Sequence, residues 1–288
     1  MKILVLGAYG QLGRSFGDIA GNYPQYTFIY TDIDTLDISD FKSVTNYILQ
    51  EKPEIIINCA AYTAVDKAES EQEKALLMNA KVVENLAQIA QKHAIFLVHV
   101  STDYVFDGKG FHPYKEDNPT LPMSVYGKTK LLGEQAIINN LCHCAIVRTS
   151  WLYSEYGTNF VKTMLRIGKE REQVSVVSDQ IGSPTYASDL AEAIMQIISQ
   201  KESVKQTQIY HFSNEGTASW YDFAKEIMQL RNCDCEVLPI STESYPTPAQ
   251  RPLYSVLDKQ KVKFHFSLTI PYWRDSLQKC INRLSAIE

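Results

Sequence analysis

Lys2-Ile3-Leu4-Val5-Leu6 runs without a break into Gly7-Ala8-Tyr9-Gly10-Gln11-Leu12-Gly13. A short apolar run closed by glycine reads as a strand, and the glycine stretch behind it opens a helix. Glycines permit a tight turn there and let backbone amides approach a pyrophosphate, which the helix N-terminus attracts. The spacing is G-x-x-G-x-x-G rather than G-x-G-x-x-G. It is the strand–turn–helix context that favours a dinucleotide over a plain structural turn.

Outward from that loop, β-branched runs at 27–31, 54–59, 95–101, 144–149, 174–177 and 209–212 alternate with helix-length amphipathic segments. Several runs are apolar throughout, as strands covered on both faces require. The pattern predicts an α/β fold, a Rossmann-type doubly wound parallel sheet with a smaller C-terminal substrate-binding lobe. Residues 71–93 read as one helix with Val82, Val83, Leu86, Ile89 and Ala90 on a stripe. Another helix spans 188–198, with Ser188-Asp189 as its cap. Residues 1–150 form the dinucleotide-binding part. Residues 151–288, richer in proline–glycine clusters, form mainly the lobe, with some segments returning to the sheet. The loop 103–125 is long enough to suggest a functional role.

A formal charge of −5 gives no footprint for nucleic acid or an anionic membrane surface. No stretch approaches the ~20 apolar residues of a membrane span, and the apolar N-terminus is too short for a signal peptide, so the cytosol is the expected compartment. The pairs Cys142/Cys144 and Cys233/Cys235 lack the two-residue gap of common zinc knuckles. They read as reduced structural residues, as do Cys59 and Cys280, and no metal site is expected.

The second strand ends at Asp32, where an acidic residue would meet the adenosine ribose and disfavour a 2′-phosphate. With no arginine beside it, the reading leans to NADH over NADPH. Alternatively Asp32 caps a turn, and Asp34 or Asp37 takes its role. The fourth strand ends in Ser101-Thr102-Asp103, at the edge that faces the ligand crevice. After the long loop comes Tyr126-Gly127-Lys128-Thr129-Lys130, whose spacing stacks Tyr126 and Lys130 on one helix face. A hydroxyl, a phenol and a lysine around one carbonyl make a reductase site. Thr102 hydrogen-bonds the substrate oxygen and Tyr126 passes it a proton. Lys130 lowers the phenol pKa and holds the nicotinamide ribose. His99, within the strand, reads as a packed core histidine. Arg251, between two prolines, either binds a phosphate or braces a loop.

These motifs resemble the extended, sugar-nucleotide branch of the short-chain dehydrogenase/reductases, and within it the dTDP-4-dehydrorhamnose reductases. The resemblance covers nearly the whole chain: residues 7–13, Asn58-Cys59-Ala60-Ala61-Tyr62-Thr63-Ala64-Val65-Asp66, 101–108, 126–130, Arg148-Thr149-Ser150-Trp151, Gly182-Ser183-Pro184-Thr185 and Arg251-Pro252. It implies that Gly10, Gln11 and Leu12 cradle the pyrophosphate and that Asp37 and Ile38 lie near the adenine. Ala60, Ala61 and Tyr62 would line the cofactor crevice. Thr63, Val65, Thr102, Asp103, Tyr104 and Trp151 would contact the sugar nucleotide. It further implies Tyr126 as proton donor, NADPH or NADH as cofactor and a possible homodimer. Some such relatives bind magnesium, which no acidic cluster here supports.

Three activities fit that resemblance: reduction of the C4 ketone of dTDP-4-dehydro-β-L-rhamnose, another reaction of a sugar-nucleotide enzyme (epimerase or dehydratase), and a silent subunit resembling the methionine adenosyltransferase regulators. Dehydratases resemble Thr-Asp-Glu at the strand end, but here Tyr104 follows Thr102-Asp103, so the elimination base is missing. Thr102, Tyr126 and Lys130, all present, argue against a silent subunit.

Overall fold

The computed structural model describes residues 1–140 and 142–287. Six parallel strands form the central sheet, β1 (Lys2–Leu6), β2 (Thr27–Thr31), β3 (Ile55–Asn58), β4 (Phe96–Thr102), β5 (Cys144–Thr149) and β6 (Thr207–His211). Their order is β6-β5-β4-β3-β1-β2, so the chain turns back between β1 and β3. That reversal opens a crevice at the carboxyl ends of the strands. Alternation along each strand explains the two covered faces. Ile3, Val5, Ile57 and Val98 pack on one side with Leu190 and Ile194. Leu4, Leu6, Ile56 and Leu97 pack on the other with Val83 and Leu86.

A separate apolar cluster holds the second half together, with Tyr153, Val161, Phe223, Ile227, Trp273 and Leu277 at its centre. It surrounds a parallel pair of strands, Gln173–Val177 with Glu236–Ile240. Between these segments the chain returns to the sheet through the helix Ala187–Ser199 and strand β6. Val262, Phe266 and Ile270 return to the same core.

Two local expectations are corrected. The helix read over 71–93 is interrupted: Gln72–Leu76 is helical, Leu77–Lys81 is a π-turn, and Val82–His93 resumes. The π-turn faces fully buried Asn79 toward the loop after β3, where its amide binds Tyr62 N at 2.9 Å and Tyr62 O at 3.1 Å. The same amide reaches Thr129 Oγ1 at 3.1 Å. Apolar periodicity does not register one inserted residue in a turn. The helix Ala187–Ser199 has Tyr186 as its N-cap, with no side-chain cap bond. The Asp189 carboxylate is drawn instead to Asn214 Nδ2 at 2.6 Å and to Ser276.

Candidate active site

Gly7 leaves β1 with φ +75°, and a Cβ on it would sit 2.8 Å from Ala60 N. The first loop and the loop after β3 therefore touch, and their amides flank one crevice. The helix α1 (Gln11–Ile19) starts at its floor. Asp32, at the end of β2, closes one side: Oδ2 accepts from Tyr9 N at 2.7 Å and Oδ1 from Ile33 N at 2.8 Å. Arg14 Nε holds Tyr9 O at 3.2 Å, so an arginine does stand on the loop that Asp32 braces. It comes from the first helix, which a reading of β2 alone missed.

From there a cavity of about 1660 Å³ extends into the lobe. It exceeds the ~300–1,000 Å³ of a single small-ligand pocket and leaves room for a dinucleotide beside a sugar nucleotide. Gly7, Gly10, Gln11, Leu12, Gly13, Asp32, Ala60 and Ala61 line the end at the glycine loop. Thr63, Val65, Thr102, Asp103, Tyr104, Tyr126, Lys130 and Trp151 line the rest. Three expected residues do not face it. Asp37 binds Ser39, and Ile38 is buried in the core against the sheet. Tyr62 turns its phenol to Glu71 at 3.2 Å because Asn79 clamps its backbone.

The side chain of Gln11 is committed to residues far along the chain. It donates to Leu152 O at 3.4 Å and accepts from Ser154 Oγ at 3.1 Å and Asn159 Nδ2 at 2.9 Å. Gln11 thereby ties the first loop to the second lobe. Sequence reasoning missed Thr158, Asn159, Phe160, Trp220 and Tyr245, which line the far wall. Nothing in local spacing marks them, since they come from a separate layer.

The helix α2 (Val125–Asn139) brings Tyr126 to this wall. Ser124 caps it through Gly127 N at 3.1 Å. A Cβ on Gly127 would meet Tyr104 O at 2.2 Å, so glycine lets the helix lie directly on the end of β4. Tyr126 and Tyr104 pack edge to face, centroids 5.4 Å apart. Burial pushes the Tyr126 phenol well above its ordinary value, and a Thr102 hydrogen bond opposes this only in part.

Lys130 follows one turn further along α2. Lys130 is buried behind the tyrosine, with Nζ on Val100 O at 2.7 Å and 3.3 Å from His99 Nε2. Burial brings it down to about 8, against the pull of Glu134. At neutral pH Tyr126 is a phenol, which is the form a proton donor needs.

Asp103 is 3% exposed. One carboxylate oxygen accepts from Thr102 Oγ1 at 3.0 Å, and the other is buried without a partner. Burial raises its pKa to about 6, with Ser255 and Thr102 holding it down. A carboxyl whose folded pKa lies above its unfolded value binds protons more tightly in the native state, so stability rises as pH falls from about 6 through 3.8. Asp103→Asn is expected to stabilise the protein by up to about 3 kcal/mol at pH 8 and to lose that advantage near pH 4. Urea unfolding at the two pH values checks this; equal stability of the two proteins at pH 8 would count against a buried carboxylate whose hydrogen bonds do not offset its burial.

Trp151 holds φ +49° and stacks on Trp220 at 3.6 Å, within 10° of parallel. A Cβ on Gly182 would lie 2.6 Å from the Trp151 ring. The glycine of Gly182-Ser183-Pro184-Thr185 thus makes room for that indole. Arg251 lines the cavity and also braces: NH2 meets Asp66 Oδ2 at 2.6 Å and NH1 meets Tyr104 Oη at 3.3 Å. Among the described residues no cluster of three His, Cys, Asp or Glu could hold a metal ion, and no helix is long and apolar enough to cross a membrane.

A glycine-loop crevice joined to a threonine, tyrosine and lysine at the end of β4 defines a nicotinamide-dependent oxidoreductase of the extended short-chain dehydrogenase/reductase class. The model of the RmlD substrate binding domain matches residues 1–286. The dTDP-4-dehydrorhamnose reductase of Aggregatibacter actinomycetemcomitans is 42% identical, over 96% of this chain and 97% of that protein. The spore coat polysaccharide biosynthesis protein SpsK of Bacillus subtilis is 39% identical, over 99% and 98%. A crystal structure of dTDP-4-dehydrorhamnose reductase from Bacillus anthracis in complex with NADP superposes with a TM-score of 0.93 at 41% identity, covering 98% of this chain and 99% of that one. The chain belongs to the dTDP-4-dehydrorhamnose reductase family.

Proposed function

We propose that this protein reduces the C4 ketone of dTDP-4-dehydro-β-L-rhamnose to the alcohol of dTDP-β-L-rhamnose, using NADPH or NADH. The observation that carries the reading is the convergence of Thr102, Tyr126 and Lys130 on a cavity that continues from the glycine loop. The crevice fits a dinucleotide because Gly7 and Ala60 bring two loops of amides together around the start of α1. Bound there, the nicotinamide supplies the hydride. Thr102 hydrogen-bonds the ketone oxygen and stabilises the charge that develops on it. Tyr126, protonated at neutral pH, donates its proton to that oxygen. Asp103 and Trp151 orient the sugar.

Elimination chemistry is disfavoured at Tyr104, where a dehydratase needs a base. Burial pushes this phenol up to about 12, against the pull of Arg251, which donates to it. The same family reading carries the cytosol as compartment and a homodimer as assembly.

The test supplies the keto-sugar and follows nicotinamide absorbance with each cofactor. Oxidation with a sugar alcohol as product supports the reading. Tight cofactor binding with no oxidation favours a non-catalytic subunit instead. Because Asp32 and Arg14 brace the same loop from opposite charges, NADH and NADPH are expected to give kcat/KM values within about tenfold, or ~1.4 kcal/mol, of each other.

A further inference from the structure

Trp151 is held in a conformation that is costly for a side chain of its size. Its φ of +49° lies in the left-handed region, where the Cβ of an L-residue crowds the following carbonyl oxygen. A bulky residue stays there only when the surrounding structure supplies contacts that no other conformation makes. Two such contacts meet at the indole. Trp220 covers one face, with ring centroids 3.6 Å apart and planes within 10° of parallel. Offset or edge-to-face aromatic pairs stand ~4.5–7 Å apart, so here one ring lies squarely over the other. Gly182 lies against the same indole, where a Cβ would come 2.6 Å from Cε2 and 2.7 Å from Cζ2.

Both contacts come from one piece of backbone. Ala218-Ser219 pairs antiparallel with Ile181-Gly182, in the register that sets Ala218 opposite Gly182. Trp220 follows directly, as the first residue of the helix Trp220–Leu230. A capping box fixes the start of that helix: Ser219 Oγ accepts from Asp222 N at 3.0 Å, and Asp222 Oδ2 accepts from Ser219 N at 2.9 Å. Behind Trp220 the Phe160 ring stands at 4.7 Å. Trp220 therefore cannot yield without moving the helix or the strand pair. Thr185 N donates to Trp151 O at 3.1 Å, which ties residue 151 to the chain just beyond Gly182.

We propose that Trp220 is a positioning residue: with Gly182 it forms a slot that keeps residue 151 left-handed and presents its indole to the cavity as a fixed apolar wall for the sugar. Both indoles line that cavity. A side chain already held in place costs little to order when a ligand arrives, so less of the binding free energy is spent on ordering it. The proposed reaction gives Trp151 the orienting of the sugar and gives Trp220 no part. The sugar's place in this proposal rests on the reductase reading, whereas the slot does not.

A crystal structure of Trp220→Leu tests the slot without any substrate. Residue 151 is expected to leave the left-handed region, or its indole to occupy more than one position. A Trp151 that keeps its φ and its single position overturns the proposal, whatever the enzyme's activity. Kinetics test the consequence. In Trp220→Leu the KM for the keto-sugar is expected to rise about tenfold with kcat changed by less than about threefold, the pattern of lost binding rather than lost chemistry. Trp220→Phe, which keeps an aromatic face toward the indole, should recover most of that rise. In a Trp151→Ala background, Trp220→Leu should move KM by less than about twofold, because a residue acting through Trp151 has nothing left to act on. A further rise of about tenfold there gives Trp220 a role of its own and overturns the proposal. If the native protein oxidises no cofactor, the reductase reading fails while the crystal structure still decides the slot. Should Trp220→Leu not fold, Gly182→Ala replaces it: the added methyl is expected to displace the indole from the other side, and an unmoved indole overturns the proposal.

Discussion

Tyr126→Phe is expected to lower kcat for keto-sugar reduction by roughly 10²–10⁴-fold, the range typical for loss of a positioned proton donor. Cofactor affinity should stay within about twofold, because less than ~0.5 kcal/mol of binding is attributed to the phenol oxygen. Phenylalanine keeps the ring and therefore the edge-to-face contact with Tyr104 at 5.4 Å. What is lost is a single hydroxyl at the wall shared with Thr102. Stopped-flow reduction and fluorescence titration of the cofactor separate the two quantities. A variant that retained the native rate would remove Tyr126 from the proton-donor role. Since burial keeps the native phenol protonated well into alkaline pH, any alkaline fall in rate is assigned to Lys130 rather than Tyr126.

Glu134→Ala is expected to destabilise the protein by about 3–5 kcal/mol, the cost of leaving a buried charge without its partner. Glu134 and Arg148 are 1% and 2% exposed, joined at 2.7 Å and 2.9 Å. Ser101 donates to the same carboxylate, and Arg148 lies over the Phe106 ring at 5.1 Å. The guanidinium also stands 3.4 Å from His211, whose pKa falls to about 3, burial being the larger cause and Arg148 the second. The pair fastens α2, which carries Tyr126 and Lys130, to β4 and β5, so activity should fall with stability. Replacing both partners by apolar groups, Glu134→Leu with Arg148→Met, should recover much of the loss, since two desolvated charges vanish together. Urea unfolding gives both values. A single variant within about 1 kcal/mol of the native protein would show the pair to be structurally dispensable, against the range for a broken buried pair.

The central strands were legible because burial on both faces imposes continuous apolar runs, and the sheet buries the runs at 3–6, 55–58 and 144–149, while the edge strand at 27–31 is only partly covered. The glycine loop was legible for a related reason: only glycine meets the backbone contact that Gly7 makes with Ala60. Asp189 was misread as a cap because a carboxylate near a helix start looks the same whether it binds its own backbone or a distant asparagine. Gln11 carried no mark at all of its bonds to Ser154 and Asn159, over 140 residues away.

By itself, the sequence determined the doubly wound sheet, the glycine loop and the Tyr126/Lys130 pair, since each follows from local sterics or from periodicity within one element. Only the tertiary structure decided what those groups do to one another. Tyr126 is held as a phenol by burial, Lys130 is turned toward Val100 and His99, and Gln11 ties the glycine loop to Leu152, Ser154 and Asn159. Desolvation and hydrogen-bond direction depend on which atoms meet in space, and no spacing along the chain encodes them.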